Sequence, residues 1–397
     1  MSLGTENSAK IKVIGVGGAG GNAVNNMISA GLKGVEFIVA NTDAQALNKS
    51  KADTKIQLGP QLTEGLGAGA NPDIGREAAK ENIDEIRQAL QGSHMVFITA
   101  GFGGGTGTGA APVIAEICKE LEILTVAVAS KPFSFEGKKK ERQALKGLEE
   151  LQSITDTVIT IPNDRLRGIA PKGAKMLDML IKADEILHHS VKGISDLIMV
   201  PGLVNLDFAD VKTIMSKAGN ALMGIGFASG DNRAVEAAEK AISHPLLEDI
   251  SISGAKGVLL NITSSSDITL DEMTEASDRI YEEVGDEAEI IWGQAIDDSL
   301  GDEMRITVVA TGINQEEDIE NTNIHKFNIN ANKKNETQDN LKSGKLRTPT
   351  EDELAHWNEY ESPIKKAVGS GISGNFNNPS YDSEDLDIPT FLRRKAD

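Results

Sequence analysis

The sequence predicts an α/β fold: a parallel sheet covered by helices, a long central helix, a second and smaller α/β domain, and a disordered C-terminal tail. Three observations carry this. Short apolar runs alternate with helical patterns through residues 10–173, which builds a parallel sheet with helices on both faces, a Rossmann-like arrangement. Residues 174–198, AKMLDMLIKADEILHHSVKGISDLI, form one long helical pattern, after which strands and helices resume. From about Asn314 periodicity fails. A polar, Asn-rich stretch of that kind cannot bury enough apolar surface to offset its ordering entropy.

Each element follows in chain order. Residues 1–9 read as a short disordered arm. KIKVIGVGGAGG (10–21) is a strand ending in glycines, and GNAVNNMISAG (21–31) is a helix with Ala23, Val24, Met27 and Ile28 at helical spacing. VEFIVANTD (35–43) is a strand, GREAAKENIDEIRQALQG (75–92) one amphipathic helix, and HMVFITAG (94–101) a buried strand. GAAPVIAEICKELE (109–122), LTVAVAS (124–130), KKKERQALKGLEELQSI (138–154) and DTVITIPND (156–164) continue as helix, strand, helix and strand. In the second region the strands are 222–230, 255–264, 288–296 and 304–312, with helices at 232–243 and 269–284. The organisation is therefore an arm (1–9), a first domain (10–173), a central helix (174–198), a second domain (199–313), a linker (314–380) and a short apolar island in the terminal peptide (381–397).

Composition narrows the function. The net charge of −20 over 397 residues, with 4% aromatics, argues against a nucleic-acid binder, which needs a basic surface and stacking platforms. It argues equally against non-specific membrane adsorption. Cys118 is the single cysteine, so no disulfide framework or thiolate metal cluster forms within one chain. No opening stretch reads as a secretory signal and no apolar run is long enough to span a bilayer, so a cytoplasmic protein without direct membrane insertion is expected. His94, His188, His189 and His244 show no ligand-like grouping, and no metal-binding side chains are expected.

The chemistry concentrates in glycine loops. GVGGAGGNA holds Gly15-x-Gly17-x-x-Gly20 between a strand and a helix. Alone, this fits a dinucleotide site as well as other phosphate ligands, with Asp43 a candidate for a ribose. AGFGGGTGTGA (100–110) is a second strand-to-helix glycine turn, and GLGAGANP (65–72) a third. Several converging sets of backbone N–H groups suit a triphosphate, with Thr106 and Thr108 adding hydroxyls. No G-x-x-x-x-G-K-[ST] motif occurs, so there is no P-loop lysine. Phosphates would be held mainly by backbone amides, and Mg²⁺ carried on the phosphates and water.

These motifs resemble a known family. GGGTGTG (103–109) is similar to the signature loop of the tubulin and FtsZ superfamily. GVGGAGGNA, NTDAQAL, GLGAGANP, KPFSFEGKKK, IPNDRL, NLDFADV, HPLLEDI and VVATG resemble the FtsZ family in order and spacing, and the terminal DIPTFLRR resembles its docking peptide. The resemblance covers residues 10–313 and the last dozen. It implies a GTP-binding domain at 10–173, a C-terminal GTPase-activating domain at 199–313, and GTP and GDP as ligands. Gly17, Gly18, Gly20 and Gly21 would meet the phosphates from the first loop. Ala68, Gly69 and Ala70 would contribute from another, and Gly104, Gly105, Thr106, Gly107 and Thr108 from the signature loop. Asn22 would sit near the guanine, Glu136 near the ribose, and Asn163 and Asp184 would read the base. Two positions depart from the family pattern. Lys140 replaces an arginine near the nucleotide and loses its planar fork, and Leu180 stands where an aromatic often stacks on the base.

No obvious base for water lies near the loops. Asp207 and Asp210 share a helical face at i, i+3; locally they read as an N-cap and a first-turn acid. The resemblance instead implies that Asn205, Asp207 and Asp210 enter the next subunit's nucleotide site and polarise the attacking water. It implies head-to-tail homopolymers that form a ring at midcell, with membrane-anchoring and regulatory division proteins bound through residues 386–395. A nicotinamide-dependent oxidoreductase and a non-hydrolysing GTP-binding scaffold stay open at this point.

Overall fold

The computed structural model describes residues 9–313 apart from 170–172, 174, 201, 203–205, 217–218, 248–251, 253 and 286–287. The arm up to residue 8, the linker, the terminal peptide and Asn205 lie outside the described residues.

The first half runs β1 (Ile11–Val16), α1 (Gly17–Ser29), β2 (Val35–Asn41), α2 (Ala44–Lys49), β3 (Thr54–Gln57), α3 (Pro60–Thr63), α4 (Pro72–Glu81), α5 (Ile83–Leu90), β4 (Met95–Gly101), α6 (Thr106–Glu120), β5 (Leu124–Lys131), α7 (Lys138–Ile154), β6 (Thr157–Pro162) and α8 (Asn163–Ile169). The long helix α9 (Met176–Met199) follows. The second half is α10 (Phe208–Ser216), β7 (Gly219–Ser229), α11 (Arg233–Ile242), β8 (Gly257–Ser264), α12 (Leu270–Val284), β9 (Glu289–Ile296) and β10 (Glu303–Thr311). All ten strands join one sheet in the order β3-β2-β1-β4-β5-β6-β7-β10-β8-β9. The first six are parallel, and β10 runs antiparallel to both β7 and β8. The order reverses between β1 and β4, and in such sheets ligands bind at that reversal, outside the carboxyl ends of the strands.

The alternation of each strand divides its side chains between two cores. In β1, Val13 faces the core under α1 and α9, whereas Ile14 and Val16 face the core under α4, α5, α6 and α7. Helix α9 binds the halves together. Its Ile186, Val191, Ile194 and Leu197 share one core with Phe97 of the first half and Met223, Leu259 and Val309 of the second. Fully burying side chains of this size contributes about 1.5–3 kcal/mol each. Buried polar contacts add direction. Asp196 of α9 meets Arg305 (3.1 Å) and Lys192 (2.8 Å), and Asn261 Nδ2 donates to the Gly193 carbonyl at 2.8 Å.

Several boundaries differ from the sequence reading for local reasons. The helix expected over 75–92 is two helices. Asn82 breaks it, leaving helical geometry so that its Oδ1 can accept from the Gly59 N–H at 2.9 Å. Helix α4 starts earlier, at Pro72, capped by Asn71 Oδ1 accepting from the Asp73 N–H. Strand β3 and helices α2, α3 and α8 are too short to leave a periodic signal. Cys118 is buried on α6, and burial pushes its thiol up to about 12. Burial also pushes His188, His189 and His244 down to about 4, about 3 and about 4, so they are neutral packing groups. His94 is exposed, and its Nδ1 accepts from the Lys10 N–H at 2.8 Å.

Candidate functional site

The three glycine loops meet one another at the carboxyl end of the sheet. Helix α1 begins directly after β1, and Gly17 makes the turn with φ +72°. A side chain there would also press on Gly107 of the signature loop, and one at Gly107 would press on the Gly101 carbonyl. A Cβ at Gly105 would strike Ala68 and the Asn71 backbone, so the 65–72 loop lies directly against the signature loop. Gly20 abuts the Thr99 carbonyl oxygen, which brings α1 onto β4. These glycines permit close approach of backbone to backbone. Gly18, Gly69 and Gly104 are different: nothing lies within 4 Å of where their side chains would be.

The open space is a cavity of about 290 Å³ lined by the starts of α1 and α6, by Ser130, Lys131, Pro132 and Glu136 after β5, by Asn163, and by Leu180 of α9. Helix α6 starts at Thr106, inside the glycine run rather than after it. Its first-turn N–H groups have no intrahelical partners, and with the helix dipole they form an anion site. Thr106 Oγ1 is 2.7 Å from Thr42 Oγ1. Thr108 is buried, and its hydroxyl accepts from the Gly103 N–H at 2.9 Å, so it shapes the loop from below and does not line the cavity.

At the other end of the cavity Asn163 is 7% exposed and its Oδ1 has no hydrogen-bond partner among the described residues. A buried amide oxygen left unpaired is costly, and a ligand N–H donor would satisfy it. Asp184 lies one helical turn beyond Leu180, half-buried, accepting from Asn26 Nδ2 at 3.2 Å. Burial pushes its carboxyl up to about 6. Glu136 Oε1 accepts from the Phe133 N–H and its Oε2 from Lys140 Nζ, both at 2.9 Å. Gly21 is buried beside Val39, and Asn22 is exposed on α1 next to the loop. Ala68 is buried, while Gly69 and Ala70 are exposed, with left-handed φ of +58° and +56°. Asp43 does not line the cavity, and its Oδ1 caps α2, accepting from the Gln45 and Ala46 N–H groups.

Asp207 and Asp210 are not in this cavity. Asp207 Oδ1 accepts from the Asp210 N–H at 2.9 Å, capping α10, and both carboxylates are exposed. The neighbouring Phe208 packs edge-on against His94, ring centres 6.1 Å apart, just before β4 begins. The start of α10 therefore sits at the amino end of the strands and the cavity at their carboxyl end. A seven-residue strand such as β4 separates them by about 20 Å.

Sequence reading missed Ala19, Phe102, Ser130, Lys131 and Pro132 as lining and Asn26 as the partner of Asp184. For Lys131 a signal was present, since it ends a parallel strand beside the glycine loops. For Asn26 there was none, because its partner comes from a helix distant in sequence.

Two family models and several known proteins match the chain. The family described as "Tubulin/FtsZ family, GTPase domain" matches residues 10–171, and "FtsZ family, C-terminal domain" matches 219–314. The chain is 48% identical to the "Cell division protein FtsZ" of Azotobacter vinelandii over 398 residues, covering 98% of each. An empty FtsZ dimer from M. jannaschii superposes with a TM-score of 0.75 at 47% identity, covering 78% of this chain and 90% of that one. CetZ2 from Haloferax volcanii shares the fold, with a TM-score of 0.67 at 23% identity over 78% of this chain and 95% of that one.

Proposed function

The chain belongs to the FtsZ family of tubulin-like cell-division GTPases, and from that premise we propose that its catalytic centre is divided between copies stacked head to tail. Each copy holds GTP in the cavity, and the next copy supplies Asn205, Asp207 and Asp210. The phosphates lie on the N–H groups of Gly17, Gly18, Gly20 and Gly21, of Ala68, Gly69 and Ala70, and of Gly104, Gly105, Thr106 and Gly107, with Thr108 holding the last loop in shape. Asn163 and Asp184 accept hydrogen bonds from the guanine, with Asn22 beside it. Glu136, steadied by Lys140, takes the ribose. Mg²⁺ would be carried in by the nucleotide and water, and when bound it would supply charge neutralisation.

One observation carries this reading. Among the described residues, the ionisable side chains lining the cavity are Lys131 and Glu136, and Glu136 is already paired. The family resemblance gives the water-polarising role to the exposed carboxylates of Asp207 and Asp210, which stand at the opposite end of the sheet, so a second copy would bring them in. A contact between unlike ends that does not close makes a filament. The cavity end also carries exposed apolar side chains: Leu66 at 82%, Phe135 at 61% and Leu180 at 42%. Such patches favour an interface, and the relative from M. jannaschii is described as a dimer. We extend the reading to a midcell ring tethered to division partners through residues 386–395. The division of labour between 10–173 and 199–313, joined by 174–198, belongs to the same proposal. The test is GTP turnover against protein concentration. Turnover per molecule should rise steeply above a threshold, and a constant value in dilute protein would end the proposal.

A further inference from the structure

We propose that Lys131 binds the inner phosphate of the nucleotide, as the cationic side chain in a cavity otherwise built from backbone donors. This rests on the reading of the cavity as the nucleotide site. Lys131 is the last residue of β5, in register with Pro162 of β6, and the adjacent Ser130 is in register with Gly101 of β4. It thus stands between the signature loop that follows β4 and Asn163 that follows β6, and it lines the cavity with both.

Charge is the second strand of evidence. The chain carries 60 acidic against 40 basic side chains, so carboxylate partners are plentiful. Lys12, Lys140, Lys192 and Lys240 each have one. Lys131 has no ion pair and no hydrogen bond among the described residues. Burial, and then the like charge of Arg165, push its ammonium below the usual lysine range. Glu136, the carboxylate on the same cavity wall, is taken up by Lys140 and the Phe133 N–H. A half-buried cation beside another cation, without a counter-charge, is unfavourable in the empty protein. An arriving phosphate oxygen reverses the sign by forming a charge-assisted hydrogen bond. Because Lys131 ends β5, between the signature loop after β4 and Asn163 after β6, its partner is a phosphate on the nucleoside side of the chain, one that GDP and GTP have in common.

The test is displacement of a fluorescent guanine nucleotide by guanosine, GDP and GTP, with protein held below the concentration at which turnover rises. The variants are Lys131→Met, Lys131→Arg and Gly104→Leu. Lys131→Met should weaken GDP and GTP alike by roughly tenfold or more and leave guanosine little changed, and Lys131→Arg should recover most of the loss. Unchanged GDP affinity in Lys131→Met overturns the proposal, as does an equal loss for guanosine, which marks a structural role. So does unchanged affinity with a raised turnover threshold, which puts the partner of Lys131 across the junction. Gly104→Leu separates the two readings. If it too binds GDP normally, the cavity is not the nucleotide site; if it loses GDP while Lys131→Met does not, only the role of Lys131 fails.

Discussion

The two ends of the sheet are built on opposite plans. At the carboxyl end, three loops press glycine against backbone, and among the described residues what remains open is ringed by N–H groups, an unpaired amide oxygen and an unpaired ammonium. At the amino end, α10 is an ordinary capped helix that presents two exposed carboxylates to solvent. The first end can hold a polyanion, but among the described residues its cavity is lined by no unpaired carboxylate. The second has carboxylates but no cradle. About 20 Å of β-strand separates them, so on the proposed reading each molecule carries both halves of a reaction and a second copy joins them.

The largest expected effect comes from removing the amino-end chemistry. Asp210→Ala should lower GTP turnover of concentrated protein by roughly a hundredfold or more while GDP affinity in dilute protein stays at the parent value. A loss of affinity instead would mean that the two ends are not independent. The next contrast lies within the glycines. Gly18→Leu fills open space and should abolish nucleotide binding, with stability within about 0.5 kcal/mol of the parent. Gly20→Ala, which drives a methyl into the Thr99 carbonyl, should cost about 1–3 kcal/mol in a denaturant melt. Equal melts for the two would erase the distinction between packing and ligand-facing glycines.

A third effect is read in pH. Burial holds Asp184 protonated up to about pH 6, and accepting from the guanine N1–H and N2–H₂ with both oxygens requires the charged form. Binding then expels a proton below that pH, so GDP affinity should fall roughly tenfold per unit as pH drops through this range. Asp184→Asn should flatten the profile. For the empty fold the sign is opposite. The folded state holds this proton more tightly than the unfolded chain, so the group lowers stability as pH rises from the ordinary value of 3.8 through about 6. The smallest effect is the cap. Asp207→Ala should destabilise α10 by about 1 kcal/mol, and Asp207→Asn, which keeps an acceptor, by much less. Differential scanning calorimetry of the two variants would measure it.

What the sequence determined was whatever is written in short-range pattern. Most of the strand and helix order through 10–313 followed from periodicity, with β3, α2, α3 and α8 the exceptions, and the glycine runs at strand ends announced a phosphate cradle because no other residue tolerates those backbone approaches. The Asp207 cap was also local. Where a competing contact came from a distant segment, the pattern failed, as when Gly59 broke the 75–92 helix at Asn82. Only the tertiary structure decided which glycines face a ligand and which face a neighbouring strand, since both look alike in a sequence. It alone paired Asn26 with Asp184, left Asn163 Oδ1 and Lys131 without partners among the described residues, and put the cavity and α10 at opposite ends of one sheet. The reason is physical: a partner, or its absence, belongs to the space around a side chain, and strand order fills that space with residues far apart in the chain.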